Sequence, residues 1–187
     1  MSYKNRTLKK YLDDLAAKLA APGGGSAAAF NAGMGAALIS MVVNFTLGKA
    51  KYAKYELELK DTLEKSEKLR DQFLDLVDLD IAAYKSRNIR DALDIPFMTA
   101  RLCFEGIKLC PPLVKIGNIN LISDVAVAAV FLESAFTSAY FNVDINLKVL
   151  NNKRLASKIR RELEQKEKRA RQIRLQVEDK VGKIIRG

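Results

Sequence analysis

The sequence contains no histidine and no tryptophan among its 187 residues. Histidine is the usual side chain for proton transfer near neutral pH and the commonest metal ligand. Its absence argues against a metal site and metal-dependent hydrolysis, and it leaves carboxylates, lysines, tyrosines and thiols for proton transfer. Only four prolines are present, and alternating strand patterns are nearly absent, which favours a helical protein.

Cysteine is scarce as well. The two cysteines, Cys103 and Cys110, do not form the paired Cys-x-x-Cys set that binds zinc. We therefore expect both to be buried as small apolar residues. Residues 1–6 contain no apolar stretch of the kind found in signal peptides, so we expect a cytoplasmic protein.

The positive charge is concentrated at the C-terminal end. The formal net charge is +10, and residues 153–187 hold 13 lysines and arginines against 5 acids, which makes +8. We interpret this segment as a last helix that packs one face and solvates the other. The alternatives are contact with nucleic acid, an acidic membrane surface or an anionic ligand tail, although no aromatic residue is interleaved for stacking. Its apolar residues recur at helical spacing: Leu155, Ile159, Leu163, Ala170, Ile173, Val177, Val181 and Ile184.

Three consecutive glycines, 23–25, separate the first two predicted helices. The first helix covers about 7–20, and the second covers about 26–47 without any charged residue. The second is long enough to cross a membrane. However, its apolar residues are small, and the polar residues Asn31, Ser40 and Asn44 interrupt it. No other segment of this kind is evident in the sequence. Small residues around Gly33 would let another helix approach closely, so we interpret it as a buried central helix.

The remaining segments extend the helical pattern. A third helix covers about 50–86, Pro96 can begin a fourth that runs to Cys110, and Pro111 and Pro112 stop it. A long helix from Ser123 or Asp124 to Leu150 and the basic tail complete the chain. The patterns predict an all-α fold, a single-domain bundle over residues 1–187 of about five to six helices. The second and third helices carry more apolar surface than one layer can hide, so we expect a homodimer.

Asp80 differs from the other acids of the third helix. At about 100° per residue, Asp71, Asp75 and Asp78 fall on the side opposite the apolar stripe, where we expect them to be solvated. Asp80 lies within the stripe, one turn before Tyr84, and an unpartnered carboxylate is costly there. It is either a buried acid with a structural hydrogen bond or a functional group.

Two further polar features leave similar alternatives open. Asn142 and Asn146 stand one turn apart in an apolar segment. They form either an interhelical hydrogen-bond pair or contacts to a ligand. Gly23, Gly24, Gly25 and Ser26 form either a tight turn or a helix start whose backbone N–H groups face an anion or a carbonyl-rich ring.

Several blocks occur in one order: APGGGS (21–26), MGAALISMV (34–42), FTLGKAKY (45–52), DIAAY (80–84), GN…SD (117–124) and AYFNVDINL (139–147). With this set the chain resembles the formiminotransferase-cyclodeaminase C-terminal family, which includes bacterial methenyltetrahydrofolate cyclohydrolases. The resemblance covers about residues 8–150. Members of that family carry a longer stretch where only 11 residues separate Tyr84 from Pro96 here.

The resemblance implies an all-helical homodimer that acts on tetrahydrofolate carrying a one-carbon unit. The expected reaction is that of a formiminotetrahydrofolate cyclodeaminase: the folate N10 attacks the formimino carbon, ammonia leaves, and 5,10-methenyltetrahydrofolate forms. Asp80 matches the catalytic acid of the family. No bound prosthetic group is implied, since the tetrahydrofolate derivative is the substrate. The substrate-binding residues implied are Gly23, Gly24, Gly25, Ser26, Asn44, Lys49, Tyr84, Asn118, Asp124, Asn142 and Asn146.

Other functions remain open at this point. A free-standing member of the family could be a methenyltetrahydrofolate cyclohydrolase, or could use another reduced pterin. As a cyclodeaminase it would receive its substrate from a separate formiminotransferase. The non-enzymatic alternative is a helical module that binds nucleic acid through its basic C-terminal helix.

Overall fold

Helices make up all the regular structure between residues 2 and 187, the range that the computed structural model describes. No β-strand occurs in this range, which confirms the all-α prediction. Two short 3-10 helices, Ala50–Tyr55 and Ile119–Leu121, precede the third and sixth α-helices. The seven α-helices are α1 (Leu8–Ala16), α2 (Gly24–Asn44), α3 (Glu56–Ser86), α4 (Ile89–Ile107), α5 (Cys110–Ile116), α6 (Ile122–Leu150) and α7 (Lys153–Arg186).

Helix α2 lies at the centre, between α3 and α6. The backbone at Gly33 lies against α3, where an added Cβ would be 3.6 Å from Phe73 Cβ. At Gly35 the contact with α6 is closer, since a Cβ would lie 2.8 Å from Leu132 Cγ. Small side chains let helix backbones approach each other, and these contacts agree with the prediction of a buried central helix.

Helix α4 contains Pro96 in its interior, so the prediction that Pro96 begins a helix was wrong. The helix begins at Ile89, where the side chain of Asn88 caps it by accepting a hydrogen bond from the Arg90 N–H at 3.0 Å. A proline has no N–H, and the carbonyl four residues earlier therefore loses its partner. That carbonyl, of Ala92, instead accepts a hydrogen bond from Nδ2 of Asn146 at 2.6 Å.

Pro111 and Pro112 lie in the first turn of α5 and do not end a helix, which corrects a second boundary. Proline fits a first turn because the N–H groups there have no partner within the helix. Cys103 in α4 and Cys110 at the start of α5 are free and fully buried, as predicted. Burial raises the pKa of both thiols, so they stay protonated and unreactive.

Helix α7 packs against α6, α4 and α5. Leu155 is half-buried and Ile184 is 42% exposed, while the other six predicted apolar positions are buried. Arg101 of α4 also makes a two-pronged ion pair with Glu162, at 2.8 and 2.7 Å. The tail therefore covers the core with one face, as the packing interpretation requires, and presents its basic face to solvent.

Replacement of Leu163 tests the packing of α7. Leu163→Ala should lower the free energy of unfolding by about 2–5 kcal/mol, because it leaves a cavity at a fully buried position. The matched control is Leu175→Ala on the same helix, where the side chain is 49% exposed, and a change within about 0.5 kcal/mol is expected. Urea unfolding of both variants measures the difference, and equal losses would contradict the packing described.

Two helices, α2 and α6 with its preceding 3-10 turn, are long and apolar enough to pass a membrane-span test. The expectation that the chain has one such segment was therefore wrong. The most apolar 18-residue stretch of α2 is 61% buried inside the protein, as expected for a core helix. The corresponding stretch of α6 is only 39% buried. The open side of α6 presents Val127, Val130, Phe141 and Ile145 at the surface.

Candidate active site

The first turn of α2 meets the last turns of α3 at Gly25 and Asp80. The Asp80 carboxylate lies so close to the Gly25 backbone that an added Cβ would be 2.6 Å from Asp80 Cγ, and nearer still to Oδ1. No side chain other than hydrogen fits there without moving the carboxylate. Two residues that the sequence predicted for the site are thus brought into direct contact.

The position of this turn follows from how α2 begins. Gly23 is the N-cap, and the side chain of Ser26, three residues later, bonds back to it as in one half of a capping box, because glycine has no side chain for the other half. Ser26 Oγ accepts from the Gly23 N–H at 3.2 Å and donates to the Gly23 carbonyl at 2.9 Å. Tyr11 Oη of α1 lies 3.2 Å from the same Oγ. Ser26 is fully buried, and its side chain is occupied by Gly23 and Tyr11, so in this structure Ser26 holds the turn in place.

Asp80 is half-buried, and burial raises the pKa of its carboxyl above the ordinary value. The backbone N–H of Ser26, which faces the carboxylate, lowers this pKa again in part. The dominant cause is removal from water, which disfavours the charged form. A carboxyl whose pKa moves toward neutrality can both accept and release a proton during a reaction.

Three more predicted site residues lie at this end of α2. Tyr84, one turn after Asp80, is 60% exposed. Asn142 of α6 lies beside Gly24, where an added Cβ would be 3.6 Å from its Nδ2, and it donates to the Ser138 carbonyl. Asn146 donates to the carbonyls of Ala92 and Asn142. Of the two alternatives for this amide pair, the interhelical hydrogen bond therefore describes Asn146.

The other four predicted residues lie at the opposite end of α2. This helix has 21 residues and is thus about 30 Å long. Asn44 and Lys49 are exposed and Asp124 is half-buried. Asn118 is buried and holds the end of α2: its N–H donates to Thr46 Oγ1 at 2.9 Å and its Nδ2 to the Phe45 carbonyl at 3.1 Å. One copy of the chain therefore does not assemble all the predicted residues into one pocket.

The Asn44 end has a cavity of its own. It measures about 350 Å³ and is open to solvent, and Asn44, Ser40, Glu67 and Arg70 contribute its polar side chains. Arg70 pairs with Glu67 at 2.5 Å. Polar groups that could meet a ligand thus occur at both ends of α2.

Asp78 is not solvated, contrary to the prediction from the helical wheel. It is half-buried and accepts hydrogen bonds from the Ser2 hydroxyl and from the backbone N–H groups of Tyr3 and Lys4. The segment before α1 covers the outer side of α3 there, and helical periodicity carries no information about such a segment. Sequence reasoning also missed Tyr11, which reads as an ordinary member of the apolar stripe of the first helix.

In this all-helical protein, a carboxyl with a raised pKa lies against the amino end of a central helix. This arrangement is typical of an enzyme that works by acid–base catalysis. The chain belongs to the formiminotransferase-cyclodeaminase family, whose model matches residues 7–88 and 85–165. The two matched segments meet at the turn between α3 and α4, where the chain has its short connection.

Individual relatives agree with this assignment. The chain is 37% identical to a methenyltetrahydrofolate cyclohydrolase of Methylorubrum extorquens, over 86% of this chain and 88% of that protein. It is 30% identical to the formimidoyltransferase-cyclodeaminase of Rattus norvegicus over 79% of its length, but spans only 31% of that protein. The crystal structure of a formiminotetrahydrofolate cyclodeaminase from Thermotoga maritima superposes with a TM-score of 0.92 at 27% identity, over 98% of this chain and 100% of the other.

Proposed function

We propose that the protein is a folate enzyme that processes the one-carbon unit between N5 and N10 of tetrahydrofolate, with Asp80 as its proton-transferring group. The observation that carries the proposal is the half-buried Asp80 carboxyl against the backbone of Gly25. Between the two reactions of the family we favour methenyltetrahydrofolate cyclohydrolase. The 37% identical relative of that name matches this chain over 88% of its own length.

In the cyclohydrolase reaction water adds to the cationic methenyl carbon. Asp80 takes a proton from the water as the C–O bond forms, and its charge stabilises the positive centre. Asp80 then delivers this proton to N5 as the C–N5 bond breaks. The formyl group stays on N10, and the second proton of the water leaves to solvent. A carboxyl of raised pKa suits both proton transfers.

Cyclodeamination is the second candidate, and the TM-score of 0.92 against a cyclodeaminase favours it. Here N10 attacks the carbon of the protonated formimino group, and Asp80 removes the N10 proton and delivers it to the former formimino nitrogen. That nitrogen, which already carries two hydrogens, leaves as ammonia as its bond to carbon breaks, and the positive charge stays on the methenyl carbon. This reaction would need formiminotetrahydrofolate from a separate formiminotransferase. Both candidates use the same carboxyl on the same carbon.

The backbone at the start of α2 is proposed to hold the folate. The N–H groups of a first helical turn lack partners within the helix and carry partial positive charge. In this turn the Gly23 N–H donates to Ser26 Oγ, Gly25 is buried against Asp80, and Gly24 is exposed. The exposed backbone at Gly24 is therefore where the turn would meet the carbonyl-bearing edge of the pterin, with Tyr84 and Asn142 at the same end.

Absorbance assays with purified protein test the proposal. A cyclohydrolase removes the methenyl chromophore when methenyltetrahydrofolate is supplied, whereas a cyclodeaminase produces this chromophore and ammonia from formiminotetrahydrofolate. Inactivity on both folates would reject the proposed function. Salt-sensitive binding of DNA or RNA together with that inactivity would favour the nucleic-acid module instead.

We further propose that the enzyme is a homodimer that joins the two ends of α2. Met34 and the exposed apolar side of α6 form one surface, and Asn31 joins the two helices there through hydrogen bonds to Ser134 Oγ and the Phe131 carbonyl. A twofold axis that passes through this surface perpendicular to α2 would set α2 antiparallel to its copy. The Asn44 end of one protomer would then lie beside the Gly23 end of its partner, which brings the separated groups together.

Sedimentation equilibrium tests the dimer. The protein should be dimeric at micromolar concentration, and Met34→Glu should shift it to monomers and lower folate turnover, because it places a charge in the apolar face. Leu175→Glu on the outer face of α7 is the control and should remain dimeric. A wild-type monomer that is fully active would contradict the proposal.

A further inference from the structure

The Ser26 hydroxyl is contacted from outside α2 by Tyr11 of α1. A serine hydroxyl has one hydrogen and two acceptor lone pairs. The hydrogen of Ser26 goes to the Gly23 carbonyl, and the Gly23 N–H takes one lone pair. With the Ser26 hydrogen already used, donation by Tyr11 at the 3.2 Å contact satisfies all three groups, and we assign Tyr11 as the donor. Burial raises the pKa of Tyr11, so its hydroxyl keeps the proton that it donates.

The Tyr11 ring is itself fixed by neighbouring aromatic rings. It packs edge-on against Tyr3, with ring centroids 5.4 Å apart, and at a tilt against Phe30 of α2, at 5.3 Å. Tyr3 in turn donates from its hydroxyl to Asp14 Oδ2 at 2.7 Å. The Tyr11 hydroxyl is thus held in place on Ser26 by packing that does not depend on the hydroxyl.

We propose that Tyr11 is a positioning residue, whose hydroxyl acts through Ser26 to fix the first turn of α2 under the Asp80 carboxylate. The chain of contacts runs from Tyr11 Oη to Ser26 Oγ, from Ser26 to the Gly23 cap, and from the same turn to Asp80 at Gly25. This inference rests on the proposed function of Asp80.

Loss of the Tyr11 hydroxyl has a defined electrostatic consequence. In the wild type, the Ser26 N–H lowers the pKa of Asp80. A loosened turn weakens this interaction. The pKa of Asp80 then rises, and the activity that needs ionised Asp80 appears at higher pH. Tyr11 is the titratable group that faces Asp80 from α1, the first turn of α2 contains no titratable residue, and α6 contributes the neutral Asn142 to this end.

The test is Tyr11→Phe, which keeps the ring and removes the hydroxyl. We expect kcat to fall about tenfold with KM changed less than about twofold, and the acidic limb of the pH–rate profile to move to higher pH. Tyr3→Phe is the matched control. It removes a hydroxyl hydrogen bond from the same aromatic cluster without touching Ser26, so it should cost stability but leave the limb in place.

A double-mutant cycle and a direct titration complete the test. In a Ser26→Ala background, Tyr11→Phe should have no further effect on kcat, since its acceptor is gone. Carbon-13 NMR can follow the titration of the Asp80 carboxyl, whose signal is assigned with Asp80→Asn. In Tyr11→Phe the pKa of Asp80 should be higher than in the wild type, whether or not the enzyme turns over. An unchanged Asp80 titration in Tyr11→Phe, or equal limb shifts in Tyr3→Phe, would overturn the inference. Wild-type inactivity on both folates would instead reject the proposed function.

Discussion

Asp80→Asn is expected to lower kcat by about a hundredfold or more while leaving the fold and folate binding largely intact. The amide keeps the size of the carboxyl but cannot exchange a proton or carry negative charge. Turnover is measured in the two absorbance assays, folding by circular dichroism and folate binding by equilibrium titration. Retained activity would show that Asp80 is a buried structural acid.

The free energy of unfolding of Asp80→Asn tests the raised pKa of Asp80 independently of turnover. Because the folded-state pKa of Asp80 is raised, the native protein binds this proton more tightly than the unfolded chain does. Wild-type stability therefore falls as pH rises from the unfolded pKa of Asp80 through its folded pKa. Asp80→Asn removes that loss, so at neutral pH the variant should be more stable than the wild type while it is catalytically impaired.

Asp71→Asn is the control for Asp80→Asn. Asp71 lies on the same helix, its side chain is exposed, and its nearest cation is 4.0 Å away. We expect turnover like that of the wild type and a stability change within about 0.5 kcal/mol. Asp78 does not serve as this control, because it holds the segment before α1.

The carboxyl of the site could be predicted from sequence because it breaks a periodic pattern. Asp80 interrupts the apolar stripe of a long helix, and the glycines 23–25 precede an uncharged helix. Both features are local and survive in the fold. The resemblance to the family supplied the link between them, since no periodicity places residues 25 and 80 in contact.

The features that were missed depend on contacts between distant segments. Pro96 is tolerated inside α4 because Asn146, 50 residues later, satisfies the carbonyl that the proline leaves free. Asp78 is covered by residues 2–4, which have no helical pattern. The division of the predicted binding residues between two ends of α2 likewise follows from the antiparallel packing of α2 and α6, which brings Gly24 to Asn142 and Gly35 to Leu132.

Gly25→Ala is expected to separate the fold of the protein from its chemistry. Gly25 needs no unusual backbone conformation, since it lies in the regular first turn of α2. What excludes a side chain is the carboxylate, because a Cβ would lie 2.6 Å from Asp80 Cγ. The short Asp80 side chain can rotate away, and alanine favours a helix over glycine by roughly 0.5–1 kcal/mol, so the variant should fold. The displaced carboxylate would lose the Ser26 N–H and its position beside the substrate.

We therefore expect kcat of Gly25→Ala to fall about a hundredfold, a size that misplacement of a catalytic group by about 1 Å can produce, with a melting temperature at or above that of the wild type. Gly33→Ala is the control: the substitution and the helix are the same, but the added methyl meets Phe73 at an ordinary 3.6 Å. Its turnover should match the wild type. If Gly25→Ala stays active, the carboxylate can work away from the amino end of α2, and the contact between them is a matter of packing alone.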